Sequence, residues 1–177
     1  MTVPYRAVAS MLAAITVTAL VLTAPTGCTA KDEAVQPTDT QPQATARVDQ
    51  LTRQAVAALP DGTTLKYHDG SDEAPCDDPT DNGPAGRIFV EHRYTLVPPD
   101  DDTWSVDDVI PALVAYWHDQ SYRVHDDRRT DPDPRYVVET PDGYALTLDA
   151  LDRGDRHDFT LTGSSPCIWP NGSPDAQ

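Results

Sequence analysis

The segment YVVETPDGYALTLDAL, residues 136–151, constrains the fold of this chain more than any other stretch. Apolar and polar side chains alternate on both sides of Pro141-Asp142-Gly143, and this period of two is typical of strands that bury one face. Pro, Asp and Gly are the residues that tight turns favour, because they supply the backbone angles that a chain reversal needs. The segment therefore predicts an antiparallel β-hairpin with these three residues at its tip.

Two helices and three further strands flank the hairpin. Apolar residues at helical spacing predict a helix over 47–59, and Ser105 with Asp108 resembles a capping box that opens a second helix ending near 120. The acidic segment 68–86 is predicted to be a long loop. Strands are predicted over 63–67, 87–97 and 157–163. The order α-β-β-α-β-β-β predicts an α+β fold, in which a mostly antiparallel sheet carries both helices on one face.

The strand predicted over 87–97 divides its side chains between two faces. One face carries Ile88, Val90, His92, Tyr94 and Leu96. The opposite face carries Phe89, Glu91, Arg93 and Thr95. This division favours a sheet that is solvated on one side.

The N-terminus has the features of an export signal. Arg6 supplies a positive charge, an apolar stretch follows, and Pro25 ends it. The apolar block 7–24 is about 18 residues long, the lower limit for a membrane-spanning helix, so an uncleaved anchor is the alternative interpretation.

The residues Gly27-Cys28 resemble a bacterial lipoprotein processing site, although Pro25 stands where that motif usually has leucine. The resemblance implies that the sulfur of Cys28 receives a diacylglyceryl group and that Cys28 becomes the new N-terminus. Ordinary signal peptidase offers a second cut, after Ala30, which would remove Cys28.

Lipoprotein processing divides the chain into four parts. Residues 1–27 form the signal peptide, and residues 28–44 form a disordered acidic tether rich in Thr, Gln, Pro and Asp. Residues 45–172 form a single α+β domain, and residues 173–177 form a disordered tail. Either cut leaves Cys76 and Cys167 in the folded part, where an oxidising environment favours a disulfide between them. Zinc is disfavoured because no CxxC spacing is present.

Three segments resemble those of small actinobacterial cell-envelope lipoproteins: ALVAYWHDQSYRV, VVETPDGYALTLDA and TGSSPCIWP. Such proteins share a Gly-Cys anchor, an acidic tether and a compact α+β domain with a cysteine pair. The resemblance implies a lipid-anchored protein on the extracytoplasmic face of the cell membrane. It transfers no catalytic residues.

The charge of the chain limits its partners. Lys and Arg number 13 against 29 Asp and Glu, which gives a formal net charge of −16. Nucleic acids and anionic membrane surfaces require clustered basic residues, so neither is expected to bind. The expected partners are the membrane, through the lipid anchor, and an unidentified envelope protein or ligand. A monomer is expected.

The acidic segment around Cys76 is a candidate calcium site. A loose carboxylate cage could draw on Asp72, Asp77, Asp78 and Asp81. An EF-hand is excluded, because a register that starts at Asp78 places Phe89 where a bidentate glutamate is needed. The competing interpretation is a solvated acidic loop without metal.

No catalytic residues are predicted. The chain has no GxSxG motif, and Ser164 and Ser165 lie beside Pro166, where turn residues are expected. Trp117 lies on the apolar stripe of the second predicted helix and is expected in the core. We therefore expect a non-enzymatic binding module of the cell envelope without a cofactor. A calcium-binding or calcium-stabilised protein is the alternative, and an unrecognised hydrolase comes third.

Overall fold

The computed structural model describes residues 39–76, 85–99 and 104–173. It has two helices, α1 (Gln41–Val56) and α2 (Val106–Asp119), and six strands. The strands are β1 (Thr64–Pro75), β2 (Ile88–Val97), β3 (Arg123–Arg128), β4 (Arg135–Glu139), β5 (Ala145–Asp152) and β6 (His157–Ser164). They form one antiparallel sheet in the order β1-β2-β6-β5-β4-β3. The predicted α+β class is confirmed, with β3 as an additional strand. Within the described ranges, no helix has the length and apolarity to cross a membrane.

Both helices cover the same face of the sheet. The apolar residues of α1 and α2 form one buried cluster with the inward-facing residues of the strands. Trp117 of α2 stacks on Tyr136 of β4, with the ring centroids 6.0 Å apart. At Gly163 of β6, a Cβ atom would lie only 3.0 Å from the side chains of Val48 and Thr52 of α1. Glycine at this position therefore lets α1 lie close to the sheet.

Helix α1 begins at Gln41, well before the predicted start at residue 47. Its N-terminus is held by the side chain of Gln43, whose Oε1 accepts hydrogen bonds from the backbone N–H and the hydroxyl of Thr40. Pro42 is tolerated because it lies in the first turn, where its missing N–H is not needed. Residues 41–44 of the predicted tether are therefore helical, and Ala44 is fully buried.

Strand β1 continues to Pro75, whereas the predicted strand ended at residue 67 and was followed by a loop. Its pairing with β2 has two register shifts but continues along the length of the strand. Its polar composition is compatible with a strand because β1 is an edge strand whose side chains remain largely in water. At Gly70, a Cβ atom would clash with the backbone oxygen of Glu91, so a side chain does not fit there.

Strand β3 forms the opposite edge of the sheet and was not predicted as a strand. Its sequence RVHDDR carries charges at most positions and shows no apolar alternation. The strand is defined by its antiparallel pairing with β4, which local sequence does not encode. Charges on an edge strand also oppose pairing with other chains.

Candidate functional site

The predicted cysteine pair is present as the disulfide Cys76–Cys167, with Cα atoms 5.9 Å apart. It joins the end of β1 to the segment after β6, and the adjacent Ile168 bridges to Ile88 of β2. The predicted lipidation residue, Cys28, lies outside the described residues.

The structure places one of the four candidate calcium ligands. Asp72 lies in β1, where its Oδ1 accepts a hydrogen bond of 2.9 Å from the Thr45 hydroxyl and lies 3.0 Å from Nε2 of His92. Its carboxylate is therefore engaged by protein groups. The other three candidates, Asp77, Asp78 and Asp81, lie outside the described residues. Among the described residues, no group of three or more His, Cys, Asp or Glu side chains has a geometry for holding a metal ion.

The serines considered for catalysis make structural contacts. The Ser165 hydroxyl accepts a hydrogen bond of 2.9 Å from the backbone N–H of Val90 and donates one of 2.8 Å to the backbone oxygen of Pro166. The hydroxyl of Ser164 donates to Glu91 at 3.0 Å. These hydroxyls hold the end of β6 against β2 and the following turn.

A buried histidine is the most constrained polar group in the described structure. His92 of β2 is 9% exposed and faces α1. Its Nδ1 lies 3.0 Å from Oδ1 of Asp49, and its Nε2 lies 3.0 Å from Oδ1 of Asp72. Ionised carboxylates only accept hydrogen bonds, so both ring nitrogens of His92 face acceptors within the protein.

Asp49 is shared between His92 and a tyrosine. The Tyr94 hydroxyl donates a hydrogen bond of 2.7 Å to the same Oδ1, and Arg53 pairs with the other oxygen at 3.3 Å. Burial raises the pKa of Asp49, but the hydrogen bonds from Tyr94 and His92, with the charges of His92 and Arg53, outweigh it, so the pKa is lowered overall. Burial and the hydrogen bond to Asp49 raise the pKa of Tyr94, which therefore remains a neutral donor.

These groups form a brace, made of Asp49, Asp72, His92 and Tyr94, that links α1, β1 and β2. One feature of the sequence points to the brace: His92 interrupts the apolar face of β2, and a buried polar group requires partners. The partners themselves were not predictable, because Asp49 is 43 positions away and Asp72 is 20 positions away. The brace is a structural element rather than a reactive site.

The face of the sheet opposite the helices is polar, and no described element covers it. Its centre carries two cross-strand pairs, Thr95 with Thr160 and Thr162 with Thr147. Cross-strand neighbours extend these pairs with charged groups, such as Arg93 beside Thr162 and Asp149 beside Thr160. We refer to this surface as the open face.

A groove of about 520 Å³ crosses one end of the open face. Arg153 of the lining pairs with Asp158 at 2.7 Å. Two other charged residues of the lining pair with residues beside the groove: Arg93 with Asp69 at 3.4 Å and Asp149 with Arg135 at 3.0 Å. Leu151, 41% exposed, adds an apolar contact. The lining consists of His68, Arg93, Thr95, Asp133, Pro134, Asp149, Ala150, Leu151, Arg153, Asp158 and Thr160. The groove therefore offers hydroxyls, donors and acceptors with little net charge.

A smaller pocket of about 160 Å³ adjoins the groove and shares Thr95 and Asp158 with it. Trp104 lines this pocket and meets Phe159 edge-on, with the ring centroids 6.2 Å apart. The pocket adds the apolar side chains of Leu96, Trp104 and Phe159 to the groove, and we refer to groove and pocket together as the distal groove.

The distal groove lies far from Asp39, the first residue that the structure describes. At that point, Asp39 accepts a hydrogen bond from the Tyr144 hydroxyl at 2.7 Å, and the N–H of Gln41 donates to the oxygen of Pro170 at 3.0 Å. Tyr144 precedes β5, whereas Leu151 of the groove lies near the other end of that strand. At about 3.3 Å per residue, the length of β5 separates the two places by about 23 Å.

No protein-family model, curated protein or solved structure matches this chain.

Proposed function

We propose that this chain is a lipid-anchored extracytoplasmic module that binds a partner of the cell envelope without catalysis, through the distal groove. The observation that carries the proposal is the separation between the groove and residue 39. A tether from Cys28 reaches the domain at Asp39, beside Tyr144, and the groove lies at the opposite end of β5. A domain held in this way presents the groove away from the membrane.

The tether length suits this arrangement. Residues 28 and 39 are 11 positions apart, so the intervening chain spans at most about 40 Å. The domain thus stays within reach of the membrane surface. A partner in the adjacent envelope layer is the natural target for such a module.

The chemistry of the groove indicates the kind of partner surface. Paired charges and threonine hydroxyls can donate and accept hydrogen bonds but carry little net charge. The chain as a whole has a formal net charge of −16, which repels polyanions. We therefore expect a polar, nearly uncharged contact surface on an envelope protein or ligand.

Site-specific crosslinking tests the proposal in cells. A photo-crosslinking residue, p-benzoylphenylalanine, replaces Leu151 in the groove, and a matched variant carries it at Asp119, which is exposed on α2. The position-151 variant is expected to give a discrete adduct that the position-119 variant lacks. Identical adducts from both positions, or none from position 151, would refute binding through the groove.

The anchor has a separate test. Replacing Cys28 with alanine is expected to move the protein from the membrane fraction to the soluble fraction. If the Cys28→Ala variant still sediments with membranes, the apolar block 7–24 is an uncleaved helix and the lipid anchor is wrong. This result leaves the crosslinking test of the groove unaffected.

A further inference from the structure

The two edges of the sheet differ in how well they are protected against pairing with another chain. Strand β3 is short, charged at most positions and interrupted by a register shift, and each of these features opposes such pairing. The part of β1 after Tyr67 has two register shifts and several acidic side chains. By contrast, residues 64–67 pair with β2 in regular register, and Lys66 is their only charged residue. We refer to residues 64–67 as the edge segment.

Strand β2 determines which backbone groups of the edge segment are free. On the β6 side of β2, the N–H and C=O of Ile88 both bond to Ile168, at 2.9 and 2.8 Å, and the C=O of Val90 accepts from the N–H of Ser165 at 2.8 Å. The backbone groups of successive residues in a strand point to opposite sides. The even-numbered residues of β2 therefore direct these groups toward β6, and the odd-numbered residues direct them toward β1.

Leu65 and Tyr67 consequently carry backbone groups that β2 does not use. They stand opposite Leu96 and Tyr94, which are even-numbered residues of β2, so both pairs are of the non-hydrogen-bonded kind. The N–H and C=O groups of Leu65 and Tyr67 point away from β2, to a side of β1 on which none of the described strands pairs. An extended peptide can bond to all four groups by adding a strand to the sheet.

The side chains of Leu65 and Tyr67 border a cleft of about 410 Å³ between α1 and β1. Tyr67 is 55% exposed, more than any other large hydrophobic residue in the described ranges. Its ring is held edge-on by the rings of His92 and Tyr94, with centroids 5.8 and 5.7 Å away. Cross-strand pairs of aromatic and β-branched side chains stabilise sheets, so this ring offers a contact to an apolar residue of an added strand. The cleft is lined by Thr52, Arg53, Val56, Thr63, Thr64, Leu65, Tyr67 and Tyr94.

The charge of the edge segment selects among possible strands. Lys66 stands opposite Thr95, so its exposed side chain lies on the open-face side of β1. An acidic residue directly across from Lys66 in an added strand is favourable, and a basic one is unfavourable. A second copy of this chain that paired Leu65 with Tyr67 would place Lys66 against Lys66, and each copy has a formal net charge of −16. The charges therefore favour a different chain over a second copy.

We propose that the edge segment binds an extended peptide segment of a partner protein as an additional antiparallel strand. The peptide residues opposite Leu65 and Tyr67 are apolar, and the residue between them is acidic and faces Lys66. This apolar-acidic-apolar pattern sets the register of the peptide. The inference goes beyond the proposed function and does not depend on it, because none of these three residues lines the distal groove.

Methylated peptides test the backbone pairing. The probe is acetyl-Thr-Ile-Glu-Ile-Thr-amide. Methylation of one isoleucine nitrogen removes an N–H that donates to β1, whereas methylation of the glutamate nitrogen, the matched control, alters an N–H that points away from β1. Backbone amide signals of the ¹⁵N-labelled full chain in detergent solution are followed by NMR during titration. The probe and the control are expected to shift the signals of Leu65 and Tyr67 and to bind about tenfold more tightly than the isoleucine-methylated peptide, the factor that one net hydrogen bond of about 1.4 kcal/mol supplies.

Variants of the chain test the register and the contact with Tyr67. The parent chain is expected to prefer the probe over a peptide with lysine in place of glutamate by up to about fivefold, and Lys66→Glu is expected to reverse this preference. Tyr67→Ser removes the exposed ring and is expected to weaken binding of the probe. Val124→Ser, which removes an exposed apolar side chain from β3 at the other edge, is expected to leave binding unchanged.

Several results would overturn the proposal. The probe could leave the signals of Leu65 and Tyr67 unchanged, or the two methylated peptides could bind equally. Lys66→Glu could keep the preference for glutamate, or Val124→Ser could weaken binding as much as Tyr67→Ser does. A dimer of the full chain in sedimentation that Tyr67→Ser dissociates would assign the edge segment to a second copy.

Discussion

Replacing His92 with glutamine tests the brace, because a glutamine amide can reach one carboxylate but not both. His92 contacts Asp49 and Asp72 through opposite ring nitrogens, each at 3.0 Å. The variant therefore leaves at least one carboxylate without its donor while it keeps a side chain of similar size. His118→Gln is the matched control, since the His118 side chain is 88% exposed and its nearest carboxylate, Asp119, is 3.7 Å away.

The expected loss in the free energy of unfolding follows from how deeply each contact of His92 is buried. A hydrogen bond to a charged group contributes about 1.5–3 kcal/mol when it is buried, and less when water competes. The side chain of His92 is 11% exposed and that of Asp49 is 26% exposed, so this contact retains much of its value. The side chain of Asp72 is 52% exposed, and the second contact contributes less. We expect His92→Gln to lower the free energy of unfolding by about 2–3 kcal/mol and His118→Gln by less than about 0.5 kcal/mol.

The pH dependence gives a second signature of the same brace. The folded-state pKa of Asp49 lies below the usual aspartate value of 3.8, so the ionised carboxylate stabilises the fold above that pH. This contribution is lost as the pH falls through the lowered folded-state pKa. The difference in the free energy of unfolding between the parent and His92→Gln is therefore expected to shrink below about pH 4.

Urea denaturation at pH 6 and at pH 3, followed by circular dichroism, measures both effects. If His92→Gln and His118→Gln change the free energy of unfolding equally at pH 6, the brace contributes nothing and the reasoning is refuted. A difference from the parent that is as large at pH 3 as at pH 6 would show that Asp49 is not the acceptor that matters.

Three further predictions concern the fold. Replacing both Cys76 and Cys167 with serine removes a crosslink between residues 91 positions apart and is expected to lower the free energy of unfolding by about 4–5 kcal/mol. Urea denaturation of the variant and of the oxidised parent measures this loss, and an unchanged midpoint would contradict it. Gly163→Ala places a Cβ atom 3.0 Å from the side chain of Val48 and is expected to lower the free energy of unfolding by about 1–3 kcal/mol, measured by thermal unfolding; a melting temperature equal to that of the parent would contradict it. Ser105→Ala removes the hydroxyl that donates to Asp108 at 2.7 Å and is expected to cost about 1 kcal/mol, which equal stability of parent and variant would exclude.

The sequence predicted those elements whose signals are local. The hairpin of β4 and β5 has strict alternation around a turn, and the capping box at Ser105 marks the start of α2. The first turn of α1 was missed although Thr40 and Gln43 have the spacing of a capping box, because the Pro- and Gln-rich composition there indicated a tether. A segment rich in polar residues can thus begin a helix when a capping box and one stripe of buried residues support it.

The candidate site was less predictable, because it depends on contacts between distant segments. The alternation of β2 placed Thr95 and Arg93 on the solvated face, which is the side of the distal groove. It could not place Thr160 beside Thr95, since that pairing requires the register of β2 with β6.

Strand β1 shows how a polar segment becomes part of a sheet without an apolar core of its own. It pairs with β2 alone, and nearly all of its residues are exposed, so hydrophobic burial contributes little to its position. Three contacts replace that burial: the disulfide that begins at Cys76, the brace at Asp72, and the ion pair of Asp69 with Arg93 at 3.4 Å. All three hold the part of the strand from Asp69 onward, so that part depends on the disulfide and on His92 together. Of these contacts, the brace at Asp72 also fixes β1 against α1, because the Thr45 hydroxyl of α1 donates to the same carboxylate.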